Sequence, residues 1–283
     1  MLTTKAKVSL AGVASRFVMM GRRLAGKKDS AIVVRKGIRY HLDLNEGIDF
    51  SIYFLGAFEA RTQKSLQRLV RHGDVVFDIG ANVGAHTLVL ARCVGQHGKV
   101  FAFEPADFAF KKLRRNLGLN PTLQERTFLH QILLSESSSD QPERQIYASW
   151  PLRGDRAVHP KHRGRLMSAE EACVDTLDEF VRRQQISRLD LVKMDVDGNE
   201  LPVLRGGKET IRRFWPTLVM EVSPYVHREH GHRFADFIEI LKTAGYSICD
   251  AYNGRAIPLD ADELEREIPD GASINVIAKH EGN

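Results

Sequence analysis

The residues that could do chemistry fall into separate groups along the chain. The first is Phe77-Asp78-Ile79-Gly80-Ala81-Asn82-Val83-Gly84-Ala85-His86-Thr87, an apolar strand that breaks into a glycine turn and a helix start. Glycines at such a turn let the backbone approach a ligand and leave helix N–H groups pointing at it. Glu104 closes the next apolar run, 20 residues after Gly84. A carboxylate at that distance can accept both ribose hydroxyls of an adenosine ligand. Asp78, Gly80, Ala81, Asn82, Gly84, His86 and Glu104 are therefore the candidate binding residues.

The residue types narrow the ligand. Asn82 stands where a dinucleotide turn needs a glycine for close approach of a pyrophosphate. Asp78 would repel a diphosphate and attract an ammonium group. S-adenosylmethionine offers an ammonium and carries no phosphate, whereas a nicotinamide dinucleotide, the rival from another enzyme class, fits neither residue. A tight turn with no ligand would account for Gly80 and Gly84 but not for the acids on either side.

The second group is Lys193, Asp195 and Asp197, which strand alternation places on one face, with Glu200 opening the next helix. Methyl transfer to an alcohol requires a general base near the methyl group. Asp195 is the first choice for that place, Lys193 keeps its neighbours ionised, and Glu221, ending the following strand, is a second site carboxylate or an exposed strand-end charge. Asp197 and Glu200 also suit helix capping. Glu136, after the third strand, is an additional candidate binding acid. His227, His230 and His232 lack a nearby cysteine and are interleaved with Arg228, Glu229 and Arg233, so they read as a solvated helix entry, and no metal is assigned. The third group, Arg144, Arg153, Arg156, Lys161, Arg163 and Arg165 with Trp150, His159 and His162, suits an anionic or saccharide acceptor.

These groups need a scaffold, and the periodicity supplies one. Two short strands between Ala31 and Leu44 and a helix over Glu59 to Arg71 precede a regular alternation. Strands are expected at Val75–Ile79, Lys99–Phe103, Thr127–Leu134, Leu189–Met194, Thr217–Val222, Tyr246–Ala251 and Ser273–Ala278, with helices between them. That pattern means right-handed βαβ crossovers and a mostly parallel sheet with helices on both faces. The expected organisation is a basic, flexible tail over 1–30, a small strand/helix preface over 31–74 and the main domain over 75–283, with a polar insert at 135–170.

Several blocks together resemble one family. FDIGANVGAHT (Phe77 to Thr87), FAFEP (Phe101 to Pro105), TLDEF (Thr176 to Phe180), LVKMDVDGNELPVLRGG (Leu191 to Gly207) and LVMEV (Leu218 to Val222) look like the FkbM methyltransferases, in consistent order over about residues 50 to 225. The resemblance implies a Rossmann-like class I methyltransferase fold, an α/β architecture with a seven-stranded sheet and an antiparallel final strand. It also implies S-adenosylmethionine as cofactor and hydroxyl acceptors on saccharides, glycolipids or natural products. Members usually read Lys-x-Asp-x-Glu-Gly-x-Glu in the fourth block; Asp197 stands here for the first glutamate and Asn199 precedes Glu200. An adenosine-ligand-binding protein that has lost catalysis is the non-enzyme alternative.

Composition sets the outer limits. The 283 residues are 43% hydrophobic and 27% charged, as in an ordinary globular protein. The formal charge of +5 is a property of the first 30 residues, which hold seven Lys/Arg against Asp29 and leave the remainder at net −1. A nucleic-acid partner is therefore not expected, and weak membrane-surface contact is left to the tail. Cys93, Cys173 and Cys249 are few, odd in number and scattered, which points to a reducing, cytoplasmic compartment. The sequence leaves the oligomeric state open.

Overall fold

The computed structural model describes residues 4–153 and 157–282. The chain begins with α1 (Thr4–Leu24), the hairpin β1 (Ser30–Arg35) and β2 (Ile38–Asp43), then α2 (Gly47–Leu55) and α3 (Ala60–Leu69). The alternating region follows with β3 (Val75–Ile79), α4 (Thr87–Cys93), β4 (Lys99–Phe103), α5 (Asp107–Gly118), α6 (Pro121–Gln124), β5 (Thr127–His130) and β6 (Ile132–Leu134). Next come β7 (Gln145–Ser149), β8 (Arg165–Ser168), β9 (Cys173–Asp175), α7 (Leu177–Arg183), β10 (Leu191–Met194), α8 (Glu200–Arg205), α9 (Lys208–Phe214) and β11 (Thr217–Val222). The chain closes with α10 (Pro224–Glu229), α11 (Phe234–Thr243), β12 (Tyr246–Asp250), β13 (Ala256–Ile257), α12 (Ala261–Glu267) and β14 (Ile274–His280).

The main sheet has the order β13-β12-β14-β11-β10-β3-β4-β5. Its central strands β11, β10, β3, β4 and β5 are parallel, and β14 runs antiparallel to both β11 and β12. This is the expected seven-stranded arrangement plus the two-residue edge strand β13. Alternation along the strands divides the apolar residues between two cores. Phe77, Phe103, Val192, Met194 and Met220 face α7, α8 and α11 on one side. Val76, Val100, Leu191 and Val219 face α4 on the other, and there β2, α2 and Met19 of α1 complete the same core.

Several expectations need correction. The basic segment read as a flexible tail is the helix α1, and its Ser15 and Met19 are buried. The strand over Thr127–Leu134 divides at Gln131: β5 stays in the main sheet, while β6 pairs in parallel with β9. Between β10 and β11, where the alternation calls for a connecting helix, the chain forms two, α8 and α9. They meet at Gly206, where a Cβ would lie 2.1 Å from the Ser135 carbonyl oxygen, so only glycine allows that close packing. The polar insert contains the β7–β8 hairpin. Helix α2 was not expected at all, and its Asp49 is buried with Oδ2 accepting from the Asp43 N–H at 2.7 Å and from Lys112 Nζ at 2.6 Å.

Candidate active site

In an open α/β sheet the ligand lies beyond the carboxyl ends of the strands, where the strand order reverses. Here that reversal falls between β3 and β10, and a cavity of about 1550 Å³ opens there. Pockets for one small ligand usually fall in the range of about 300 to 1,000 Å³, so the space is large enough for a cofactor and an acceptor together.

The β3 turn forms one wall. Gly80 has φ +79°, and a Cβ on it would sit 1.8 Å from the Asp195 carbonyl oxygen, so only glycine allows the two loops to lie this close. Asn82 takes the left-handed conformation at φ +47°, and its N–H donates to Glu104 Oε2 at 2.7 Å. The Ala106 N–H donates to Glu104 Oε1 at 2.8 Å. Glu104 thus ties the β3 turn to the end of β4. Burial pushes its carboxyl up to about 7, against the lowering effect of the two N–H donors. Each oxygen retains a lone pair for a ligand hydroxyl.

Asp78 does not reach the cavity, contrary to its expected contact with a ligand ammonium. It is fully buried, accepts from Thr87 Oγ1 at 2.6 Å, and lies 3.4 Å from Lys193 Nζ. The register explains the ion pair, because Lys193 of β10 and Asp78 of β3 are direct partners on adjacent parallel strands. Lys193 Nζ also donates to the Gly80 carbonyl at 3.0 Å and lies 3.6 Å from Asp195 Oδ2. Burial opposes its charge, but Asp78, Asp195 and Glu59 outweigh that effect and hold the ammonium above the usual lysine range. Lys193 is therefore a buried bridge between the two loops.

Beyond Lys193, the carboxylates of Asp195, Asp197 and Glu221 lie within 4.8 Å of one another. No metal was assigned from the sequence, yet this spacing matches that of cation ligands as well as of acids that share protons. All three are raised, first by burial; Asp195 adds to the rise of Asp197 and Glu221, while Glu59 and Asp78 add to that of Asp195. Asp197 and Glu221 are raised well above their usual values, while Lys193 pulls Asp195 back down. Glu221 also accepts a hydrogen bond from Ser273 Oγ. Asp197 sits in the left-handed region at φ +48°.

Glu200, weighed between capping and function, faces away from the cavity. It is buried, its Oε1 accepts from the N–H groups of Val196 and Gly198 at 3.2 and 3.4 Å, and burial raises its carboxyl to about 7. It holds the β10–α8 loop in shape. Its Oε2 lies 3.4 Å from Nε2 of His227, a ring buried against Phe234 and Phe237. His230 and His232 line the cavity rim instead, and among the described residues no metal-ligand cluster includes any of these histidines.

His86 lines the cavity as expected, with Nε2 3.6 Å from Glu59 Oε2. Glu59, in the left-handed conformation before α3, was not anticipated. Its only sequence signal is its position at the start of an amphipathic helix. Glu136 is exposed at the rim and accepts from Arg205 at 3.3 Å. The insert does line the cavity, but through Tyr147, Trp150, His159, His162 and Leu166 rather than through its arginines. Arg144 donates to the Ala169 and Ala172 carbonyls, Arg165 lies 3.6 Å from Glu46, and Lys161 pairs with Asp270 and Glu229. Arg156 lies outside the described residues.

Residues 78–248 match the model of the methyltransferase FkbM domain, which is more than half of the chain. The chain belongs to the FkbM methyltransferase family. The methyltransferase sdnD of Sordaria araneosa is 32% identical over a match spanning 47% of this chain and 60% of sdnD. The hexuronic acid methyltransferase AglP of Haloferax volcanii is 29% identical, over 47% of this chain and 49% of AglP. The chain thus spans about half to three fifths of the length of these relatives. Among solved structures, the FkbM methyltransferase of Methylobacillus flagellatus superposes with a TM-score of 0.44 at 18% identity, over 80% of this chain and 49% of that one. S-adenosylmethionine is the cofactor expected of the FkbM methyltransferase family. The close approach at Gly80, the Glu104 acceptor and the volume of the cavity fit it.

Proposed function

We propose that this protein is an S-adenosylmethionine-dependent O-methyltransferase acting on a hydroxyl of a saccharide, glycolipid or natural product. The observation that carries this reading is the placement of Asp195 on the cavity wall, backed by a buried lysine and joined to the Gly80 turn. Gly80, Ala81, Asn82, Gly84, His86 and Glu104 would hold the cofactor, with Glu136 at the rim. When bound, the cofactor supplies a methyl group already activated on a sulfonium.

The residues of this chain then have two tasks. Positioning falls to the rigid turn, where Glu104 fixes Asn82 and Ala106 and the cavity walls exclude water. Proton removal falls to Asp195. Lys193 favours its ionised form, whereas burial and neighbouring carboxylates push Asp197 and Glu221 upward. An acceptor hydroxyl that donates to Asp195 would lose its proton there as the new carbon–oxygen bond forms. Glu221, which accepts a hydrogen bond from Ser273, lies beside Asp195 in the same carboxylate cluster. The aromatic wall of Tyr147 and Trp150 suits a sugar face. AglP, named for a hexuronic acid, favours a saccharide among the acceptor classes.

The test is incubation with cofactor carrying a deuterated methyl group and a panel of saccharides, including hexuronic acids, followed by mass spectrometry. Label on a sugar oxygen supports the reading. Label recovered only on nitrogen or carbon acceptors would refute the O-specific part.

A further inference from the structure

Helix α1 is apolar on two faces, and the protein itself covers only one. Gly12, Ser15 and Met19 point inward and are buried, and Met19 joins the core beneath the sheet. Leu10, Val13, Phe17, Met20 and Leu24 are between 53% and 85% exposed. Their spacing of three and four residues places all five on one stripe of the helix surface. At about 100° per residue, Lys5, Arg16 and Arg23 stack along a single edge of that stripe, with Arg23 paired to Asp29 at 2.9 Å and Lys5 and Arg16 exposed to solvent. The helix contains no acidic residue.

Exposed apolar patches of this extent on a folded protein mark an interaction surface. The cations along the edge decide which kind. We propose that α1 docks this protein onto an anionic lipid surface, lying in the plane of the membrane with the stripe immersed and the basic edge at the headgroups. A second copy of the chain would bring the same like-charged edge against the stripe, which disfavours self-association, whereas anionic headgroups complement it. No helix among the described residues is long and apolar enough to cross a membrane, so α1 lies on the surface and does not span.

The position of the stripe adds a second argument. Leu10 belongs both to the stripe and to the cavity wall, where Phe54 and Leu55 of α2 stand beside it, each more than half exposed. The exposed apolar surface is therefore continuous with the cavity mouth, and docking would bring that mouth down to the lipid.

Co-sedimentation of the full chain with sucrose-loaded vesicles tests the proposal without relying on methyl transfer, so its outcome is separate from the enzymatic reading. The protein should pellet with phosphatidylcholine vesicles containing phosphatidylglycerol and remain largely in solution with phosphatidylcholine alone. The double variant Val13→Glu, Phe17→Glu should stay in the supernatant with an unchanged thermal midpoint. Arg16→Glu, a milder change at an exposed site, should weaken partitioning by about tenfold, with the loss shrinking in high salt. A wild-type protein that ignores the anionic vesicles would overturn the proposal, as would a double variant that pellets normally. A lipid-free dimer in sedimentation velocity that the double variant dissolves would also overturn it, assigning the stripe to a second copy.

Discussion

Gly80 and Asp195 meet backbone to backbone, so closely that a methyl group on Gly80 would stand 1.8 Å from the Asp195 carbonyl oxygen. The turn that would cradle the cofactor and the loop that carries the proposed general base are thereby one rigid unit, and a disturbance of either is felt by both. Lys193 reinforces the joint by donating to the Gly80 carbonyl while standing between Asp78 and Asp195.

Gly80→Ala should therefore destabilise the fold. A left-handed backbone conformation costs alanine roughly 1 kcal/mol or more, and forcing apart packed loops adds about 1 to 3 kcal/mol. Urea unfolding should show a loss of about 2 to 4 kcal/mol, with weakened cofactor binding. A variant as stable as the parent would show that the loops are not held in contact.

Asp195→Asn keeps the shape and removes the proposed base. Turnover should fall by about a hundredfold or more, the usual worth of positioned proton transfer, while S-adenosylhomocysteine affinity and thermal stability change little. Normal kinetics would move the base to another carboxylate of the cluster. Unfolding would assign Asp195 a structural role.

Glu200 gives a prediction with a defined pH window. Its folded-state value of about 7 lies above the 4.5 of the unfolded chain. The folded protein keeps a proton there that the unfolded chain releases. The stabilising contribution is fully present below pH 4.5 and is lost as pH rises through about 7. Glu200→Gln should flatten that part of the stability profile, by up to roughly 3 kcal/mol across the window. Denaturation at a series of pH values checks this, and an unchanged slope would contradict the buried-cap assignment.

The cavity wall contributed by the insert should recognise the acceptor. Tyr147→Ala and Trp150→Ala should raise the acceptor KM and leave S-adenosylhomocysteine affinity unaltered. Arg144→Ala should instead loosen the β7–β8 hairpin, because this guanidinium donates to the Ala169 and Ala172 carbonyls. Steady-state kinetics and calorimetry separate the two. A fall in cofactor affinity in the aromatic variants would make the insert a lid over the cofactor.

Much of this arrangement was legible in the sequence where periodicity and turn chemistry act locally. Strands β3, β4 and β11 lie within the bounds that their apolar runs indicated, because a short buried strand between turn residues has few alternatives. Residues whose meaning depends on distant partners were misread or missed. Asp78 looked like a ligand contact from its place beside the glycine turn, but its strand register turns it toward Lys193, 115 positions away in sequence. Glu59 and His86 meet across two separate helices, and nothing near either residue announces the other. The insert arginines suggested an anionic acceptor by concentration alone, yet several are spent on carbonyls and carboxylates within the fold. Helix α1 has apolar residues on two faces, which hid from the sequence the fact that one face is buried and the other exposed.

The central claim is that the Gly80 turn and Glu104 accept an adenosylated amino acid and not a dinucleotide. Isothermal titration calorimetry of the purified chain with S-adenosylhomocysteine and, separately, NADH addresses it directly. Micromolar binding of S-adenosylhomocysteine, weakened by about 1 to 3 kcal/mol in Glu104→Ala, with no heat from NADH, is the predicted result. Micromolar binding of NADH with no response to S-adenosylhomocysteine would contradict it.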